Sequence, residues 1–248
     1  MPQHKRDFDR DGFVVVRKFV SEADLAELHH ELDRYIRDVV PTLPDTVAFF
    51  QDQSRPETLK QLQHMGCDSF FESYRKRSSW QQLASELIGE ESHAQEPEWF
   101  NKPPGTDHRT PPHQDNYYFC LRPANVATLW LALDPVDSEN GCLHYVAASH
   151  QHGIRPHGGT EILGFSQGIT DFSEGDRQRE VAMQLQPGDL VAHHGETIHR
   201  ADANQTTNRH RRAFAMVFRG ISCQRDEGAY ARYTRSLRSQ HEKMGLDA

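Results

Sequence analysis

The triplet His113-Gln114-Asp115, with a single His199 far downstream, is the part of this sequence best suited to chemistry. Side chains alternate faces along an extended strand, so His113 and Asp115 point one way and Gln114 the other. One imidazole and one carboxylate then share a face and supply two donors of a metal site. The stretch Thr197-Ile198-His199-Arg200-Ala201 offers the third. Two histidines and one carboxylate, with the remaining positions open, form the donor set of non-haem ferrous oxygenases. A His-x-Asp triplet is a weak signal in a chain with 16 histidines. Its weight depends on the elements around it.

From Glu96 onward, short apolar runs alternate with turn signals. The runs cover residues 98–101, 117–121, 126–133, 142–146, 181–185, 190–194 and 213–218. Pro103-Pro104-Gly105, Glu139-Asn140-Gly141 and Gln186-Pro187-Gly188-Asp189 supply fixed or positive φ between them. Many short strands spaced this way predict a sandwich or jelly roll. Upstream, residues 12–20 read as a strand rich in Val and Phe. Ser21 reads as an N-cap with Asp24 at the third helical position, and Leu25, Leu28, Leu32 and Ile36 follow at helical spacing. The spacing predicts a helix over 22–40, ended by Pro41 and Pro44. Further helical pieces are expected across 57–88, which makes the first third largely helical. Residues 150–180 read as a long Gly-rich loop, and 227–245 as a polar helix. The whole, 1–248, reads as one domain: helical support over 1–95, a jelly-roll core over 96–222 and a C-terminal helix within 223–248.

Composition narrows the function. A net charge of -8 argues against nucleic acid or an anionic membrane as partner. No run reaches the apolar length of a membrane span, and the amino terminus lacks a signal-type apolar stretch. Four scattered cysteines (Cys67, Cys120, Cys142, Cys223) read as reduced thiols in a cytoplasmic protein. No Ser/His/Asp or paired-carboxylate signature points to hydrolysis.

Taken together, Asn101-Lys102-Pro103-Pro104, Pro112-His113-Gln114-Asp115, Tyr118-Phe119, Arg122-Pro123 and Trp130-Leu131-Ala132-Leu133 match a known pattern. Asn140-Gly141-Cys142-Leu143, Ser149-His150 and Pro187-Gly188-Asp189 through His199, Asn204 and Arg211 continue it. Over roughly residues 12–220 the chain resembles the phytanoyl-CoA 2-hydroxylase family of Fe(II)/2-oxoglutarate dioxygenases. The resemblance implies a mainly β fold with flanking helices, a cupin-like double-stranded β-helix with a helical N-terminal region. It implies His113, Asp115 and His199 as iron ligands, with 2-oxoglutarate and O2 as co-substrates. An aspartate at 115 favours hydroxylation, because related halogenases carry a small residue there that frees a site for halide.

The family places an arginine for the far carboxylate of 2-oxoglutarate two residues before an alanine, which selects Arg211 ahead of Ala213. Here His210 falls at the family spacing, so Arg209 and Arg212 stay open as alternatives. Trp130 matches a tryptophan lining the co-substrate site, and Lys60 falls where family members carry a lysine that reaches it. Two positions depart from the pattern: Glu98 replaces a methionine, and Ala201 stands where some members carry serine. Glu98 would pair with Lys60 or face an amine on the substrate. His194 would orient the site or simply pack. The expected reaction hydroxylates an aliphatic C–H of a small polar metabolite, releasing succinate and CO2. Desaturation or cyclisation on the same scaffold, or a non-catalytic cupin-like binder, are the alternatives. Arg122, Arg155 and His157 are candidates for an anionic substrate group, with Tyr117, Tyr118 and the loop over 153–172 beside it.

Overall fold

The alternation in Arg211–Gly220 sets the architecture. Phe214, Met216 and Phe218 project to one face of this strand and join a large apolar core. Arg211, Ala213, Ala215 and Val217 project to the other. In the computed structural model, which describes residues 2–44, 46–105, 109–160 and 167–244 with side chains through 238, this strand is the centre of the major sheet.

That sheet holds β1 (Phe13–Val16), β2 (Ala48–Phe50), β3 (Leu59–Leu62), β4 (Ser92–Ala94), β5 (Glu98–Lys102), β8 (Val126–Ala132), β13 (Leu190–His194) and β15 (Arg211–Gly220). The minor sheet holds β6 (Thr110–His113), β9 (Leu143–Val146), β12 (Glu180–Ala182) and β14 (His199–Ala201). Two short pairs complete the set: β7 (Leu121–Arg122) with β16 (Gln224–Arg225), and β10 (His157–Gly159) with β11 (Gln167–Ile169). The major sheet runs β1-β13-β8-β15-β5-β3-β2, with β4 pairing the far end of β15; the minor runs β12-β9-β14-β6. All the pairings are antiparallel.

Helices α1 (Gln3–Asp11), α2 (Glu22–Arg34), α3 (Ser69–Tyr74) and α4 (Ser78–Ile88) belong to the amino-terminal third. They cover the outer face of the major sheet. The ring of Phe214 lies 5.9 Å from Phe71, 5.3 Å from Tyr74 and 6.2 Å from Trp80, all fully buried. The first pair is stacked and the other two are edge-on, and such packing contributes beyond the area buried. Ser21 caps α2 by accepting from the Asp24 amide at 3.1 Å. The helix widens into a π turn at Tyr35–Val39 and tightens into a 3-10 turn at Val40–Thr42, which contains Pro41; Pro44 follows.

On the inner face the minor sheet packs over Phe13, Trp130, Val191 and Leu185, and Phe13 stacks on Tyr145 at 4.9 Å. Two antiparallel sheets face to face with helices outside make a double-stranded β-helix. Among the described residues no helix is long and apolar enough to cross a membrane.

Three expectations change. Residues 117–121 do not form a strand: Asp115–Phe119 is helix α5. A short apolar run does not distinguish helix from strand by period. Here the Asn116 amide bonds Gly195 O at 2.7 Å, and its side chain takes both polar backbone groups of Leu121, at 3.0 and 3.1 Å, which folds the run back on itself. The helical pieces expected over 57–88 are present as α3 and α4, but Leu59–Leu62 is strand β3, wedged between β2 and β5. The 150–180 stretch is structured, carrying β10, β11 and α6 (Glu174–Gln178), the last held by a Ser173/Asp176 capping box. Its residues 161–166 lie outside the described residues. A last helix, α7 (Glu227–Met244), follows β16.

Candidate metal centre

β6 ends at His113, but Gln114 stays extended (φ -130, ψ 125), so alternation carries one residue past the strand. Asp115, the first residue of α5, therefore faces the same side as His113. Gln114 turns away and is fully buried; its amide donates to Gly153 O and Glu196 O at 2.9 and 2.7 Å, and its oxygen accepts from Arg155 N at 2.8 Å. β14 lies beside β6 with His199 opposite His113, and the two rings stand 4.1 Å apart.

The tautomers follow from the partners. His113 Nδ1 donates to Pro111 O at 2.8 Å, and His199 Nδ1 donates to Thr197 O at 3.0 Å. A carbonyl only accepts, so each ring carries its proton on Nδ1 and presents a bare Nε2. Asp115 Oδ2 accepts from Thr128 Oγ1 at 2.6 Å and from His193 Nε2 at 3.0 Å. Its Oδ1 lies 3.6 Å from His113 Nε2 and 3.5 Å from His199 Nε2. One donor atom from each of the three residues lies within 4.8 Å of the others. Three lone pairs at separations that bonds of about 2.1 Å can bridge suit one divalent ion.

The charges agree. Burial works against ionising Asp115, yet the imidazoles of His199, His113 and His193 hold it well below the usual carboxylate range. Burial, with His113 and His193 close by, drives His199 well below an ordinary histidine. A carboxylate and a neutral imidazole are the forms a metal takes.

His193 is a residue the sequence reading passed over in favour of its neighbour His194. Its Nδ1 accepts from Tyr145 OH at 2.9 Å, which leaves the proton on Nε2 for Asp115. Phe13 opposite His193 and Val15 opposite Val191 mark the inward face of β1 and β13. His194 lies on the outward side, against Phe8 and His150 at 6.1 and 5.3 Å, and packs.

The donors open on a cavity of about 360 Å³ between the sheets. Arg211 and Lys102 are cross-strand partners at one end, both buried. Burial lowers Arg211 to about 10, and burial with Arg211 alongside takes Lys102 well below its ordinary value. The Arg211 guanidinium sits 5.3 Å over the Trp130 ring, and its buried Nε has no hydrogen-bond partner. Buried polar groups are nearly always satisfied, so this orphan points to an absent acceptor. The neighbouring arginines are engaged elsewhere: Arg209 with Asp137 and Glu139 at 2.7 and 2.9 Å, Arg212 with Asp134 at 2.8 Å. Lys60 lines the same cavity from β3, a strand rather than a helix, and burial lowers its pKa.

Glu98 stands on the wall beside Asp115. Burial, then the charge of Asp115, raises it to about 7 against a hydrogen bond from Gln61. That bond replaces the expected ion pair with Lys60. Tyr118 and Phe119 of α5 and Tyr233 of α7 complete the lining; the contribution of α7 has no signal in the sequence. Arg122 is exposed on β7, and Arg155 pairs with Asp171 and Asp176 at 2.9 and 3.2 Å, so neither faces the cavity. His157 stacks on Tyr117 at 4.0 Å, also outside it.

A double-stranded β-helix with two imidazoles and a carboxylate converging at its open end defines the facial-triad class of this fold. The phytanoyl-CoA dioxygenase (PhyH) family matches residues 8–213. The chain belongs to that family. It is 25% identical over 237 residues to the peroxisomal phytanoyl-CoA dioxygenase of Bos taurus, covering 89% of this chain and 69% of that protein. Among solved structures, EvdO2 from Micromonospora carbonacea var. aurantiaca, complexed with 2-oxoglutarate, superposes with a TM-score of 0.71 at 24% identity, covering 88% of this chain and 90% of that one. The epimerase SnoN, in complex with Fe3+, alpha ketoglutarate and nogalamycin RO, gives 0.71 at 21% identity, covering 91% and 86%. At these identities the two structures establish a shared fold.

Proposed function

We propose that this protein holds a ferrous ion through His113 Nε2, Asp115 Oδ1 and His199 Nε2 and hydroxylates an aliphatic C–H of a small polar metabolite, with 2-oxoglutarate and O2 as co-substrates. The observation that carries the reading is the set of fixed tautomers: both Nδ1 protons and Asp115 Oδ2 are committed to the protein, leaving three lone pairs aimed at one point. The ion, when bound, supplies the redox chemistry that couples decarboxylation of the oxoacid to oxidation of the substrate. One oxygen atom of O2 enters the C–H bond and the other enters succinate, with CO2 released.

The chain's own residues do the positioning. Arg211 takes the far carboxylate through a charge-assisted bond that satisfies its orphaned Nε side, with Lys102 next to it and Lys60 nearby. Trp130 forms the flat floor under that end. Thr128 and His193 keep Asp115 on one oxygen and so leave the opposite flank of the site open. Tyr118, Phe119 and Tyr233 narrow the mouth and limit water.

Protein reconstituted with Fe(II) is expected to turn 2-oxoglutarate into succinate in a substrate-dependent way, and His113→Ala to lose both iron and turnover. Iron retained at full stoichiometry in His113→Ala, or no succinate from a broad metabolite panel, refutes the assignment.

A further inference from the structure

The proposed function leaves Glu98, an acid on the cavity wall, without a task. The inward face of β5 carries Glu98, Phe100 and Lys102 in that order, so the strand lays an acid and a base along one wall, four residues or about 13 Å apart. Lys102 lies across from Arg211 at the cation end, whereas Glu98 lies across from Ala215, whose methyl leaves the space in front of the carboxyl open. The neutral amide of Gln61 is its hydrogen-bond partner. Glu98 is half-buried on the cavity wall, and a single amide does not match the charge of a carboxylate held there. Asp115, the charge that bears on it, has the same sign. The co-substrate, itself an anion, belongs to the opposite end.

We propose that Glu98 and Gln61 form the substrate's recognition subsite and that the substrate carries a protonated amine, which docks on the Glu98 carboxylate and places the adjacent carbon chain before the metal site. The reading rests on the proposed function for the metal and co-substrate, and it adds the class of substrate. A cationic nitrogen satisfies the charge of Glu98, while Gln61 fixes the orientation of the carboxyl. Ala215, Val217 and Phe119 line the same cavity as apolar surface for the chain that follows.

The test uses three probes with one skeleton: cyclohexylamine, cyclohexanol and cyclohexanecarboxylate. Each is titrated calorimetrically into the protein, metal-free and again with Fe(II) and 2-oxoglutarate under nitrogen. The amine is expected to bind at least tenfold tighter than the alcohol, and the carboxylate most weakly. Glu98→Gln is expected to abolish the amine preference and Glu98→Asp to keep part of it, with iron content and 2-oxoglutarate affinity measured on the same samples. An alcohol that binds as well as the amine to the unmodified protein overturns the proposal without needing any variant to fold. So does a preference that survives Glu98→Gln, or a loss of iron in that variant, which would make Glu98 a support of the metal. Absence of iron or oxoacid binding in the unmodified protein strikes the proposed function instead, and the metal-free titration still judges the amine subsite.

Discussion

The two faces of the major sheet are built from one alternating sequence and do opposite things. Outward, β15 presents Phe214, Met216 and Phe218 to Phe71, Tyr74 and Trp80, and the space is filled. Inward, it presents Arg211, Ala213, Ala215 and Val217, and space is left. Stability and chemistry are therefore separated by the parity of a residue along a strand. A substitution on one face should spare what the other does.

The largest effect that would test this separation is on the inner side. His199→Ala is expected to abolish iron binding and succinate formation while the thermal transition of the metal-free protein stays cooperative; retention of stoichiometric iron would break the assignment. On the outer side, Phe214→Ala should cost about 3–5 kcal/mol in denaturant unfolding, with the iron content of the folded fraction unchanged. Arg211→Met should raise the KM for 2-oxoglutarate by roughly 30- to 150-fold, the size of a lost charge-assisted bond of about 2–3 kcal/mol, whereas Arg209→Met should not. His193→Phe keeps bulk but removes the donor to Asp115 Oδ2, and iron affinity should fall roughly 10- to 100-fold by metal titration.

The smallest effect concerns pH. Glu98 rises to about 7 on folding from an ordinary 4.5, so the folded protein holds this proton more tightly. Its stabilising share is present below pH 4.5 and lost as pH climbs through 7. Glu98→Gln should therefore stabilise metal-free protein at pH 8 by roughly 1–2 kcal/mol and change little at pH 5. Equal stability at both values would show the carboxyl to be solvated.

Much of this was legible beforehand. The metal donors could be read because extended backbone fixes facing, and Gln114 stays extended even though the strand has ended. The inward position of Arg211 could be read from β15, where small and large residues alternate. His193 could not, because Leu190-Val191-Ala192 is apolar on both faces and gives no parity. The strand that carries Lys60 was hidden for a related reason: Leu59-Lys60-Gln61-Leu62 is too short to show a period, and its pairing with β2 and β5 decides its state. Tyr233 reaches the mouth through packing of α7 on α5, a contact between distant stretches that no local pattern encodes.

That last contact separates two properties along the chain. Both sheets are complete once β15 ends at Gly220, whereas the entrance gains its final wall only from Tyr233, which settles against Tyr117 and Tyr118. A chain clipped between β15 and α7 would thus keep every proposed metal donor and lose one side of the doorway, so trimming the carboxy terminus should blunt discrimination among small molecules before it weakens the hold on the ion.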